Sequence, residues 1–305
     1  MRDDPTIEFD PRVLRRGNDV PPSGAPRPRP DPLRALKRFV RSPKGYLLII
    51  LALLIAVAAP HEGLQHTLYG VAGAIVAAGL ADVVIVGIRK HEWIFPSGAI
   101  LTGLIVAMVL SAEVPLYVPV ATSLLAIVSK HLLRGRLANI FNPAALAVVA
   151  ATFVFGAGQS WWGALANLPA VLIVLVLVAG WIMAEHVNKM PLVLAFLLSY
   201  LALFTAAAFL GNPAQVAEIY RQPDINTALF FAFFMLDDPP TSPVRYGDQV
   251  IFGVLVAAAS FAIFQVIGAV YFLPAGLLIG NAWEAWRRAE VPAARAARST
   301  ESASR

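Results

Sequence analysis

Two carboxamides three residues apart, Asn139 and Asn142, sit in the stretch KHLLRGRLANIFNPAA (Lys130–Ala145), behind two basic turns. An almost purely apolar run, Ala144–Phe155, follows them. Proline at a first helical position leaves no amide hydrogen unsatisfied there, and Asn just before it is a common N-cap. Asn142-Pro143 therefore predicts a helix that starts at a charged face, with carboxamides at its mouth, a place to bind something polar. A second such start is FPSGAILTGL (Phe95–Leu104). There Pro96 and Ser97 open the helix, Gly98 lets a ligand approach the backbone, and Thr102 lies one turn further in. The positive dipole ends and spare amides of two such starts suit an electron-rich ligand between them. The plainer reading of Thr102 is a bond to a carbonyl of its own helix.

Carboxylates form the second group of candidates. Asp82 lies inside an apolar run, in GLADVVIVG. A carboxylate at the centre of a membrane helix costs roughly 2.5–3.5 kcal/mol, less near an end. It either faces a cavity where it takes up a cation or proton, or reaches toward Arg89 or Lys90. Asp237 and Asp238 close a short apolar run in FFAFFMLDDPPTSPVRYG. Two carboxylates at the partially negative end of a helix are electrostatically misplaced. Arg245, a bound ion or a proton would correct this, whereas the alternative is a solvated turn of strong turn-forming residues. The five histidines fall outside the apolar runs, which argues against paired axial ligation of a haem. With no cysteine, the chain offers no thiolate ligand for an iron–sulfur cluster, no disulfide and no thiol nucleophile. Trp93, Trp161 and Trp162 read as anchors at a membrane interface.

These residues need elements to position them, and composition says which. The 305 residues are 58% hydrophobic and 14% charged, where soluble domains carry roughly a quarter charged. Charge is confined to two tails and short loops, the pattern of an all-α polytopic membrane protein. The apolar segments are Gly45–Ala59, Thr67–Gly87, Pro96–Ser111, Val114–Ser129, Ile140–Phe155, Leu168–Ala184, Pro191–Leu210, Asn226–Leu236, Val250–Gly268 and Val270–Ala282, ten in all. If both termini are cytoplasmic, 23 of the 24 Lys and Arg residues lie inside and only Arg221 outside, as the positive-inside rule asks. The net charge of +5 is thus a topology signal and not a nucleic-acid surface. The predicted divisions are a basic cytoplasmic tail over 1–44, a membrane domain over 45–283, and a disordered tail over 284–305. Met1–Pro32 reads as disordered and lacks the pattern of a signal peptide. Leu33, Leu36, Phe39 and Val40, set among Arg34, Lys37, Arg38 and Arg41, fit a short helix on an anionic membrane surface, or simply a basic flank.

Several segments are too short to cross on their own, and ten divide into two fives that must run in opposite directions. The fifth segments begin alike, Phe141-Asn-Pro143-Ala144 and Phe272-Leu-Pro274-Ala275, and the third segments both carry a Pro ahead of a Thr (Pro96 and Thr102, Pro223 and Thr227). An inverted repeat follows as the expectation, with a polar site between the halves.

With those residues in view, the chain resembles the RnfD membrane proteins of RNF electron-transport complexes and the NqrB membrane proteins of the sodium-translocating NADH:quinone oxidoreductase. SGAILTGLIVAMVL (Ser97–Leu110), SKHLLRGRLANIFNPAALA (Ser129–Ala147), FFMLDDPPTSP (Phe233–Pro243) and GAVYFLPAGLLIGNAW (Gly268–Trp283) carry the resemblance. It implies a ten-segment, urea-transporter-like bundle that passes electrons through flavins while a cation crosses the membrane. It also implies a riboflavin-type site at Asn139 and Asn142, with Thr102 and Ser97 beside it, and coupling-ion residues at Asp82 and Asp238. Partners would be the other membrane, flavoprotein and iron–sulfur subunits, and the location a plasma membrane. Two departures stand out. The segment Gly156–Pro169, where the family carries an FMN-bearing threonine, has no Thr, so a flavin here is expected to be noncovalent. Arg134, Arg136 and Leu137 replace the glycine-rich lead into the Asn pair. The leading expectation is a flavin-based electron-transport subunit. Its alternatives are a channel or transporter for a small polar solute on the same fold, and a membrane anchor that recruits a flavoprotein.

Overall fold

Among apolar side chains, a helix satisfies its backbone groups without outside help, and the apolar runs of this chain become helices. The computed structural model describes residues 32–91, 94–135, 138–211 and 216–303. These fall into two units, divided after Phe39. In the first, the described residues begin helix α1, Pro32–Val40, whose Leu33 and Leu36 are exposed beside Lys37 and Arg38.

The second unit holds α2 (Pro43–Ala58), α3 (Leu64–Lys90), α4 (Ser97–Val109), α5 (Tyr117–Leu132) and α6 (Pro143–Phe155). It continues with α7 (Ile173–His186), α8 (Met190–Gly211), the single turn α9 (Val216–Ile219), α10 (Asp224–Phe231), α11 (Tyr246–Ile267) and α12 (Phe272–Ala303). Each of the ten apolar segments lies on a helix. Among the described residues, α3, α8 and α11 are long and apolar enough to cross a membrane, at 27, 22 and 22 residues. The others are shorter, and α10 widens into a π-helical turn over Ala232–Leu236. The protein is therefore a helical membrane protein.

Capping fixes where the helices start. Ser42 accepts from the Gly45 amide ahead of Pro43, and Asn142 accepts from the Ala145 amide ahead of Pro143. The packing pairs recur along the chain: α3 lies on α5 and α8 on α11; α5 on α6 and α11 on α12; α2 on α4 and α7 on α10. Close backbone approach makes the contact of α3 with α4 and that of α8 with α11. A Cβ on Gly103 would stand 2.7 Å from the Ala74 carbonyl oxygen, and one on Gly253 would stand 2.6 Å from that of Leu192, so neither position accepts a side chain without separating its helices.

The core joins small residues of α3–α6 to an aromatic cluster from Phe196, Phe230, Phe231 and Phe252. Trp161 and Trp162 belong to this core and are not interface anchors. Trp162 is fully buried with its Nε1 donating to the Ala107 carbonyl at 2.7 Å, and Trp161 packs edge-on against Phe230 and Phe231. Trp93 lies outside the described residues. The backbone of α12 runs through the predicted boundary at residue 283 without a break.

Candidate functional site

Helix ends gather around the Lys130–Ala145 stretch. α5 ends with Lys130 and His131, the chain turns back through a short bridge between Arg134 and Asn139, and α6 starts at Asn142. Lys130, His131, Arg134, Ala138, Asn139 and Pro240 line a cavity of about 350 Å³. Pro240 comes from the turn after α10, so this cavity touches both the Asn stretch and the Asp-Pro loop. Arg136 and Leu137 lie outside the described residues.

Asp82 is buried in α3 at 8% exposure. Its Oδ1 accepts from Lys130 Nζ at 3.0 Å and pairs with His131 Nε2 at 2.8 Å. The partners come from α5, not from Arg89 or Lys90 of its own helix, and Arg89 donates to the His131 carbonyl at 3.1 Å. The signal was present as opposite charges near the C-terminal ends of two parallel neighbours, yet sequence alone does not pair positions 48 and 49 residues apart.

The two asparagines do different work. Asn142 is buried, and its Oδ1 caps α6 through the Ala145 amide. Its Nδ2 donates to the Met235 carbonyl at 3.1 Å, and its backbone amide donates to Asn281 Oδ1 at 2.8 Å. Asn281 Nδ2 in turn reaches the Thr241 carbonyl. Carbonyls at a helix end need partners, and this pair of asparagines supplies them, tying α6, α12 and the Asp-Pro loop together. Asn139 instead lines the cavity. Ser97 is the first residue of α4, and Thr102 Oγ1 bonds at 2.9 Å to Gly98 of its own helix. A Cβ on Gly98 would lie 3.8 Å from Lys130 Nζ and 4.0 Å from Lys44 Nζ, so two ammonium groups stand over the first turn of α4.

At the Asp-Pro loop the two acids have different surroundings. Asp238 makes a turn: its Oδ2 accepts from Thr241 Oγ1 at 2.9 Å, and its carbonyl accepts from the Ser242 hydroxyl. Burial lifts its carboxyl to about 6, against the Thr241 bond and the charges of Lys189, Lys130 and Lys44. Asp237 is buried with its Oδ2 lacking a hydrogen-bond partner. Burial and then the Asp238 charge push it well above the usual carboxylate range, while Lys189 opposes them. The cation that faces it is Lys189; Arg245 is the exposed residue at which α11 begins. Lys189 is 4% exposed, donates to the Ser242 and Pro243 carbonyls, and is lowered by burial to about 8, with Asp237 opposing. Both partners move toward their neutral forms, so burial outweighs their mutual attraction. Arg288 holds the same loop through the Pro240 and Ser242 carbonyls at 2.9 and 3.0 Å and is itself fixed by Glu284.

A flavin's pyrimidine edge is rich in acceptors and gains charge on reduction, and cationic donors near it tune that chemistry. The cavity fits this requirement: Lys130, His131, Arg134 and the Asn139 carboxamide are its polar walls, with Pro240 as an apolar face. No curated protein matches the chain. Residues 36–168, which run from α1 past α6 and include Asp82, Ser97, Thr102 and the Asn pair, match the NQR2, RnfD, RnfE family, and the match supports that family broadly.

Proposed function

We propose that the protein is an integral-membrane subunit of an RNF/NQR-type flavin-based electron-transport complex, with a noncovalent flavin and a coupled cation. The family match across residues 36–168 carries this reading, because it spans the stretch that lines the basic cavity. In this account Asn139 and His131 hold the flavin's acceptor edge. The start of α4 (Ser97 and Thr102) lies beside it, and Asn142 positions the stretch through its cap. A bound flavin would accept and release electrons; the protein orients it and shapes the charge around it. The cation would use Asp82 and Asp238, and the unpartnered Oδ2 of Asp237 adds a third oxygen to that set.

Ten segments in two inverted halves agree with the recurring packing pairs and with the matched starts of α6 and α12. The bias of Lys and Arg toward one side of a ten-segment layout supports a cytoplasmic position, at the plasma membrane, for both termini and for this cavity. Other membrane, flavoprotein and iron–sulfur subunits would supply and accept the electrons. A solute channel on the same fold is the rival. The buried Phe230, Phe231, Phe233 and Phe234, which fill the core around α10, favour the first reading.

The test is a mild purification of the protein with whatever accompanies it, followed by a visible spectrum and acid precipitation. A flavin spectrum, with the flavin released into the supernatant, is the expected result. No flavin in the protein or any co-purifying complex would refute the reading, and solute flux through liposomes would then favour the channel.

A further inference from the structure

The cavity at the Asn139 stretch holds more positive charge than its own carboxylates balance. Lys130 and Arg134 line it, Lys44 stands with Lys130 over Gly98, and Arg89 is bonded to the His131 carbonyl. Two carboxylates approach these groups: Asp82, paired with Lys130 and His131, and Asp238, which feels Lys130 and Lys44. Asp82 takes one of the three donors of the Lys130 ammonium and holds the group in place. Arg134 is exposed at the rim and offers a planar fork of donors, the geometry that suits phosphate oxygens.

From this arrangement we infer that the cavity is a binding site for a phosphate monoester, with Arg134, Lys130 and Lys44 as the residues that take up its charge. A phosphate dianion suits a cavity whose described lining holds Lys130 and Arg134 and no carboxylate, with Lys44 beside Lys130. At about 350 Å³ the cavity greatly exceeds the share of one water, about 30 Å³, and so admits a phosphate together with part of the molecule that bears it. The inference rests on the flavin reading only for the identity of that molecule, since FMN carries such a group and riboflavin does not. A phosphatidic acid headgroup offers the same chemistry from the lipid side.

The experiment titrates the full-length protein, delipidated in a maltoside detergent, with inorganic phosphate, FMN, riboflavin and a short-chain phosphatidic acid, by calorimetry at low salt. Saturable binding of phosphate and FMN, with riboflavin at least tenfold weaker, is expected. Arg134→Gln should weaken phosphate binding at least fivefold without moving the melting temperature, and Lys44→Gln should act in the same direction. Binding of phosphatidic acid in place of FMN would support the site and assign it to a lipid. Phosphate binding with neither flavin bound would support it while removing the flavin reading. Riboflavin bound as tightly as FMN, with no affinity for phosphate, would overturn this inference and leave the flavin reading standing. Failure of all four ligands to bind, or unchanged phosphate affinity in a folded Arg134→Gln protein, would also overturn it.

Discussion

Asp82 and Asp237 are both buried carboxylates facing a lysine, and they have opposite characters. Asp82 gives one oxygen to two donors, Lys130 and His131, within 3.0 Å, at the edge of a cavity. Asp237 is sealed at the end of α10 with an oxygen that lacks a hydrogen-bond partner, while the Lys189 ammonium turns to the carbonyls of Ser242 and Pro243. The first carboxylate is an anchor whose charge is satisfied, and it orders the basic wall beside it. The second is held in place by its backbone and remains able to change its protonation or its partner. A coupling ion would meet less competition at Asp237 than at Asp82.

Four changes would break or sharpen this contrast. The largest effect is expected for Lys189→Met. It strips the Pro243 carbonyl of its donor, leaves the Ser242 carbonyl to Arg288 and removes the ammonium facing Asp237, a loss of about 3–5 kcal/mol. Thermal unfolding in detergent measures it, and adding Asp237→Asn should restore part of the loss. If Lys189→Met melts like the unaltered protein, the loop is not held in this way. Next comes Asn142→Leu, which removes the α6 cap and leaves the Met235 carbonyl unpaired, about 2–4 kcal/mol together. A melting temperature within a degree of the original would show that Asn142 is not structural.

Asp82→Asn keeps an acceptor but removes the charge opposite Lys130 and His131, and about 1–3 kcal/mol is expected. The same unfolding assay reads it, and an effect as large as that of Lys189→Met would erase the distinction between anchor and sealed pair. The fourth change concerns the pH dependence at Asp238. Its folded value of about 6 lies above the unfolded carboxylate range near 3.9, so the folded protein binds the proton more tightly. That contribution to stability is complete below about pH 4 and is lost as pH rises through about 6. Asp238→Asn should flatten the melting-temperature profile over this interval, and an unaltered slope would place the titration elsewhere.

What was legible in the sequence was local. Asn142-Pro143 announced a capped helix start, and each apolar run lies on a helix, because both depend on neighbours in the chain. The misplacement of two acids at a helix end was also legible, but the repairing cation was not. Lys189 lies 48 residues from Asp237, and a turn residue such as Arg245 looks closer on paper. Asn142 shows the same limit: its cap could be read from Pro143, whereas its bond to Met235 spans 93 residues. The aromatic character of Trp161 and Trp162 suggested an interface, and tertiary packing placed them in the core.

The central claim, a flavin held without a covalent bond beside Asn139, is tested most directly by the flavin content of purified Asn139→Leu protein against the unaltered chain. Asn139 lines the cavity at a bend, away from the α6 cap, so this variant should fold. The account predicts acid-releasable flavin in the unaltered protein, and a loss of at least tenfold in a variant of unchanged melting temperature. Equal occupancy in the two proteins, or no flavin in either, would contradict it.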